Sequence, residues 1–479
     1  MKRLSKQLAG LKVWNVVWAV FVLLLPFTSV PVIVRLVRSD VVAAPSALLL
    51  PLLLAGWALP RLICGKRLPA NAAPFVLFIL AALFATAASF IGGIPDFKGN
   101  SPARASVSAV LTLFIGAGFY LVSLLRHDDP EHLRTTFKLL NISGAAVCLW
   151  TLAQAFFWYR DQRYPEWMKT IQFSLSVGSL YRQRFVGFTL EPSWLAHQLN
   201  LLYLPFWFAA SVTGYSAFRF RAGPVTAERV LFLTGAAVLF LTLSRVGLAA
   251  FLITATFCAL VFVSRLISRL TARTASEKRR GYTLLAFAGV LGLLAAAALG
   301  ILYVLSKLDF RMAGLFSLQF QKRPDMVFYI AEKLSLAARF VYWDGGLSIF
   351  NSRPLLGVGL GHAGFYLPGM LNDYAFRLTE VRNLLYRSHT LLNIKSLWIR
   401  ILAETGITGF VFFFIWYLHS FLGNVRFLKH SDPQRAAAAW MGCFTVLAFL
   451  LEGFSLDTFA LPYLWFSLGL AAGAQDISA

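Results

Sequence analysis

Charge is what this sequence has least of. Asp, Glu, Lys and Arg make up 14% of its 479 residues, against about 25% in an ordinary soluble domain. Hydrophobic residues make up 58%, aromatics 15%, and mean hydropathy is +0.68. A water-soluble fold cannot hide that much apolar surface. Cysteine is scarce too. Cys64, Cys148, Cys258 and Cys443 lie within or beside apolar segments, which argues against a disulfide framework or a thiolate metal site and for small buried residues. Useful metal-ligand spacing is missing. His127-Asp128-Asp129-Pro130-Glu131-His132 has the right composition, but it precedes an apolar segment and reads as a proline-punctuated helix start. The longer polar segments contain no Asp-x-Asp pair of the kind that holds a sugar nucleotide through a metal, and nothing in the chain asks for a cofactor. The first apolar run, Trp14 to Ile33, has no small-residue cleavage site before its polar exit, so it reads as a retained anchor rather than a signal peptide.

Long hydrophobic runs are what remains. About 20 apolar residues cross a bilayer core of about 30 Å. Such runs fall near 12–34, 43–63, 73–93, 105–125, 136–158, 194–214, 229–242, 246–265, 282–305, 396–421, 436–452 and 459–474. The seventh is short, and 229–265 also reads as one long broken unit. Twelve runs place both termini on one side. The connections on that side carry 21 Lys and Arg, among them Arg61, Lys66, Arg126 and Arg265, while the short connections opposite carry five. Positive charge concentrates in cytoplasmic loops, so both termini are expected in the cytoplasm. The expected fold is an all-α polytopic membrane protein of about 12 transmembrane helices. Nine lie in 1–305, which includes an external segment 159–193. A large, partly helical external loop spans 306–395, and three more helices lie in 396–479. That loop holds 11 Lys or Arg against six acids. Its excess points to an anionic partner at the outer face or to anionic lipid headgroups.

Four constellations could carry chemistry. Arg184-Phe-Val-Gly187-Phe-Thr-Leu-Glu191-Pro192-Ser193 ends where the sixth run begins. Pro192 suits a first helical turn, Ser193 could satisfy free amides, and Glu191 is well placed against the helix dipole. A capped helix start accounts for those three residues but not for Arg184. His197 lies one turn further in, where an ionisable group is costly and points to function. Ser244-Arg245-Val-Gly247 stands between two apolar runs, so Arg245 snorkels to the surface or faces a polar cavity. Arg339-Phe-Val-Tyr342-Trp343 leads to Arg353-Pro-Leu-Leu-Gly357-Val-Gly359-Leu-Gly361-His362. No Lys-Ser or Lys-Thr follows these glycines, so a turn allowing close backbone approach is expected rather than a nucleotide loop. Last comes Arg387-Ser-His389-Thr-Leu-Leu-Asn393, then Trp398-Ile-Arg400-Ile-Leu-Ala-Glu404-Thr-Gly406-Ile-Thr-Gly409. On a helix His389 and Asn393 would share a face. His389 beside arginines suits a general base, though an exposed loop histidine fits as well. Glu404 lies deep enough to need a partner.

Taken in order, these motifs resemble the O-antigen ligase and Wzy-type polymerase superfamily, over roughly residues 180–420. The resemblance implies a bacterial inner-membrane glycosyltransferase that needs no metal, with its active site at the periplasmic face. The donor would be an undecaprenyl-diphosphate-linked oligosaccharide. The acceptor would be a glycan or lipid A-core, a chain-length regulator would be a further partner beside the membrane lipids, and nucleic acid would not be one. It also implies that Arg184, Arg245 and Arg339 bind the diphosphate and that His389 takes the acceptor proton. Glu191 is a second possible base, and His197, Asn393 and Glu404 are supporting residues. Guanidinium forks suit phosphate oxygens, and positioned charge can stabilise a leaving diphosphate. Tyr342, Trp343 and Tyr366 could stack on sugars or belong to interfacial aromatic belts. Ligases of this type tend to an Asn-Pro-Asn-like element where this chain has Glu191-Pro192-Ser193, so polymerisation of O-antigen or exopolysaccharide repeats is favoured over ligation. A transporter or flippase of lipid-linked glycan is a reading from another class. The halves show no convincing repeat, and most charges lie in loops, with only His197, Glu404, Glu452 and Asp457 placed to be deep.

Overall fold

The computed structural model describes residues 12–37, 43–218, 223–270, 276–308 and 336–476. Their regular elements are all helices, with no β-strand among them. In order they form α1 (Lys12–Leu23), α2 (Pro31–Val37), α3 (Pro45–Ile63), α4 (Ala73–Ser89), α5 (Pro102–Arg126), α6 (Pro130–Asp161) and α7 (Glu166–Leu175). Helix α8 runs through Pro192–Gln198, a π turn Leu199–Tyr203 and Leu204–Thr213. Then come α9 (Ala227–Leu241), α10 (Arg245–Leu270), α11 (Ser276–Leu308), α12 (Ala337–Ser352), α13 (Ala363–Met370), α14 (Thr379–Arg382), α15 (Leu397–Phe427), α16 (Pro433–Glu452) and α17 (Pro462–Gln475). Every hydrophobic run read from the sequence falls on helix. The first is split between α1 and α2, and 229–265 is two helices divided by a turn in which Leu243 has φ 49°. Among the described residues, six helices are long and apolar enough to cross a membrane. The clearest is Gly281–Lys307, whose apolar window is wholly unburied. Leu285 and Leu293 stand 71% and 73% exposed, a surface that only lipid would cover.

Local chemistry sets the helix ends. Pro130 opens α6 behind Asp129, whose carboxylate accepts the Glu131 amide at 2.7 Å, as the proline-punctuated reading of 127–132 anticipated. Pro192 opens α8 as expected. Ser193, however, does not cap it; its hydroxyl donates to Glu191 Oε2 at 3.0 Å. Inside α8, Pro205 has no N–H for the carbonyl of Leu201. Ser467 and Thr445 hydroxyls donate to that carbonyl instead, at 2.6 and 3.3 Å. An unpaired carbonyl at such depth would cost several kcal/mol, of order.

The large polar segment is partly helical as expected, although 309–335 lies outside the described residues. Its described part packs as a second apolar cluster, built on Val341, Tyr342, Ile349, Phe365 and Val381, beside the main bundle core. The two are joined at a break in α15. Gly406 has φ 62° and ψ −168°, backbone that is essentially glycine-only. In an unbroken helix the amides of Ile407 and Thr408 would bond the carbonyls of Ala403 and Glu404. Here they donate to Pro354 and Leu355, at 2.8 and 3.3 Å. The freed carbonyls accept from Val358 and Gly359, at 3.0 and 2.9 Å. Gly357 and Gly359 adopt φ 67° and 91° for this approach, so the glycine-rich segment does bring backbone against backbone.

Candidate active site

A cavity of about 660 Å³ lies at the end of the bundle where α5, α8, α15 and α17 begin and α16 finishes. The loop residues 391–395 and Arg339 of α12 close one side of it.

Its cations come from α12, the loop and α15. Lys395 is the hub. It has φ 56°, a conformation that a residue with a Cβ holds only when its surroundings impose it. Its amide donates to Asp457 Oδ2 at 3.0 Å, and its carbonyl accepts from Arg339 Nη1 at 3.4 Å and Trp343 Nε1 at 3.5 Å. The Lys395 ammonium pairs with Glu380 and lies 5.1 Å from the Tyr342 ring centroid. Burial lowers the affinity of the Arg339 guanidinium for its proton, against the pull of Glu380 and Glu191. On α15, Arg400 Nε donates to Glu404 Oε2 at 2.9 Å and Nη1 to the Asp457 carbonyl at 2.7 Å. Its Nη1 also lies 3.6 Å from Asp457 Oδ1. Glu404 therefore has the partner its depth demanded. Burial pushes the Asp457 carboxyl up to about 6, opposed by Arg400.

The opposite wall is the start of α8, with Glu191, Trp194 and His197. Glu191 is exposed, whereas His197 is buried with Nδ1 against the carboxylate of Glu452, at the end of α16. Asn200, in the π turn, donates through Nδ2 to Glu452 Oε1 at 2.6 Å and to the Gly247 carbonyl at 2.8 Å.

Five residues singled out from the sequence thus line one cavity: Glu191, His197, Arg339, Asn393 and Glu404. Arg184 and Arg245 do not line it. Arg184 Nε donates at 3.2 Å to the carbonyl of Thr242, in the turn that leads to Arg245. That turn packs on α8, where a Cβ added to Gly247 would strike Ala196. His389 stands outside the wall. Its side chain is exposed, and its carbonyl accepts from Asn100 Nδ2 at 2.9 Å. The shared helical face expected for His389 and Asn393 is not formed, because residues 388–394 are non-helical. Lys98 holds the Ser388 carbonyl and Asn100 that of His389, which draws the chain out of its turn. Neither Tyr342, which is fully buried, nor Tyr366, whose hydroxyl donates to Gly93, lines the cavity; Trp194 is its large aromatic. Sequence reading gave no role to Lys395, Arg400 or the Glu452 carboxylate. The spacing of Arg400 and Glu404, one helical turn apart, was the available signal for the second of these.

Residues 230–414 match the family model Wzy_C, described as O-antigen ligase. No curated protein matches the chain. Over that stretch the chain is similar to the O-antigen ligase family, and its apolar helices make it a multi-pass membrane protein. The matched region holds Arg245, Arg339, Lys395, Arg400 and Glu404, while Glu191, His197 and Glu452 lie outside it.

Proposed function

We propose that this protein polymerises O-antigen or exopolysaccharide repeat units at the periplasmic face of the bacterial inner membrane, taking the glycan from undecaprenyl diphosphate. The observation that carries this reading is the cavity that sets cations and proton acceptors on facing walls at one end of an apolar bundle. Arg339 and Lys395 suit the diphosphate, whose charge grows as the glycosidic bond breaks. Arg184 and Arg245 hold a second cationic point beside α8. Arg400, committed to Glu404 and Asp457, shapes the wall between them. A donor carried in the bilayer reaches such a site from the side, and the acceptor glycan enters from water. The wall offers two proton acceptors, Glu191 and His197, with His389 outside it. The Glu191-Pro192-Ser193 form of the α8 start favours polymerase over ligase.

The test is glycan profiling on gels of a deletion strain complemented with wild type, Arg339→Ala or Arg245→Ala. Loss of the ladder, with one repeat still attached to the acceptor, is the expected result. Full-length chains stranded on undecaprenyl diphosphate beside bare lipid A-core would make the protein a ligase. Normal glycan from both variants at wild-type protein levels would overturn glycosyl transfer and favour transport.

A further inference from the structure

Three histidines are buried among the described residues: His127, His197 and His362. Two of them have both ring nitrogens occupied. At His127, Nδ1 bonds the Ser123 carbonyl at 2.7 Å and Nε2 the Thr136 hydroxyl at 2.9 Å. At His362, Nδ1 meets the Val358 carbonyl at 3.0 Å and Nε2 the Ser106 hydroxyl at 2.6 Å. These rings are structural pegs. His197 is different. Its Nδ1 faces the Glu452 carboxylate, its Nε2 bonds no described residue, and it lines the cavity. Glu452 is fully buried and is itself gripped by Asn200. A buried carboxylate held by a histidine and an amide is costly at membrane depth, so its presence wants another explanation.

Resting on the glycosyl-transfer reading, we propose that His197 is the catalytic base and Glu452 the residue that positions it. A carboxylate set against Nδ1 favours the tautomer with its proton there, which leaves a lone pair on Nε2, across the ring. The acceptor hydroxyl gives its proton to that lone pair. Its oxygen forms the new C–O bond at the anomeric carbon of the donor as the bond from that carbon to the diphosphate oxygen breaks. The bonding pair leaves with the diphosphate, toward Arg339 and Lys395. The imidazolium, held by Glu452, then releases its proton to water in the cavity. Glu191 is exposed and accepts from Ser193; it suits holding acceptor hydroxyls. A carboxylate is a weaker base than imidazole at neutral pH.

The experiment uses full-length protein in lipid nanodiscs, with the lipid-linked glycan that accumulates in the deletion strain as probe. His197→Gln is expected to lower kcat by about 10²- to 10⁴-fold, with KM within about twofold. Glu452→Gln should fall less far, and Glu452→Asp should recover part of the loss. The double variant His197→Gln/Glu452→Gln leaves no lone buried charge, so it keeps the test open if a single variant misfolds. It should be no slower than His197→Gln alone, because both residues act through one imidazole. Three results overturn the inference: wild-type kcat in His197→Gln, losses that multiply in the double variant, or an equal loss of kcat in His389→Ala only. If wild type itself forms no longer glycan, or Arg339→Ala has no effect, it is the glycosyl-transfer reading that fails.

Discussion

At the end of the bundle where α5 finishes, Arg61 donates to Asp128 at 2.9 Å and to the Leu125 carbonyl at 2.9 Å, and Lys66 meets the same carboxylate at 3.0 Å. Arg126 lies over the Trp18 and Trp57 rings, 5.7 and 5.6 Å from their centroids. His127 is locked at both nitrogens beside them, and burial pushes its pKa down to about 3. At the end where α5 begins, the same residue types stand around 660 Å³ of space. Arginine, carboxylate and histidine are buried at both ends, so burial alone does not separate scaffold from site. Valence does. Where both ring nitrogens of the histidine are bonded from within, the cluster closes a helix end; where the histidine and cations border a cavity, the cluster can take a substrate.

The contrast can be broken by removing equivalent cations. Arg400→Gln leaves Glu404 and Asp457 facing each other without their guanidinium. Thermal or denaturant unfolding should register a loss of about 3–5 kcal/mol, with glycan transfer abolished. Arg61→Gln acts on side chains that are 20% and 14% exposed, and should cost about 1 kcal/mol with the ladder intact. Equal costs would erase the distinction between the ends. An effect between these two is expected from Gly406→Ala. Its Cβ would strike the Leu355 carbonyl in a region of φ/ψ closed to alanine. About 1–3 kcal/mol should be lost, and the transfer rate should fall because Arg400 and Glu404 ride on the displaced turn. An unaltered melting temperature would show that the break tolerates a side chain. At neutral pH the smallest effect is at His127. Below pH 6.5 the unfolded chain takes a proton that folded His127 refuses until about pH 3, so wild type loses stability as pH falls through that window. His127→Gln, which takes no proton, should show a shallower acid slope in pH-dependent melts and keep its glycan ladder at neutral pH.

Hydropathy made the helices legible because apolar run length is a local property. It located α5, α6 and α16 and separated α9 from α10 at Arg245. The partners were not local. Glu452 reaches Asn200 across 252 residues, and Asp457 reaches Lys395 across 62, so neither carboxylate could be assigned from spacing. The pairing of Arg400 with Glu404 is local, one helical turn, and so is legible in the spacing. The motif around Gly406 was conspicuous in sequence, but its role as a helix break depends on the arrival of Pro354 to Gly359. His389 was misplaced for a related reason: Lys98 and Asn100, almost 300 residues earlier, straighten the segment that spacing alone would wind into a helix.

The exchange of backbone bonds at Gly406 also bears on the order in which the molecule is built. The turn that carries Arg400 and Glu404 cannot complete its own ladder, since two amides and two carbonyls find their partners only in residues 354–359. Those partners are some fifty residues earlier in the chain, so they have already left the ribosome when α15 emerges. Left alone in lipid, the broken helix would hold four unsatisfied groups, each a penalty of several kcal/mol, roughly. Docking of the earlier segment is thus what lets α15 keep its break, because only residues 354–359 satisfy all four groups.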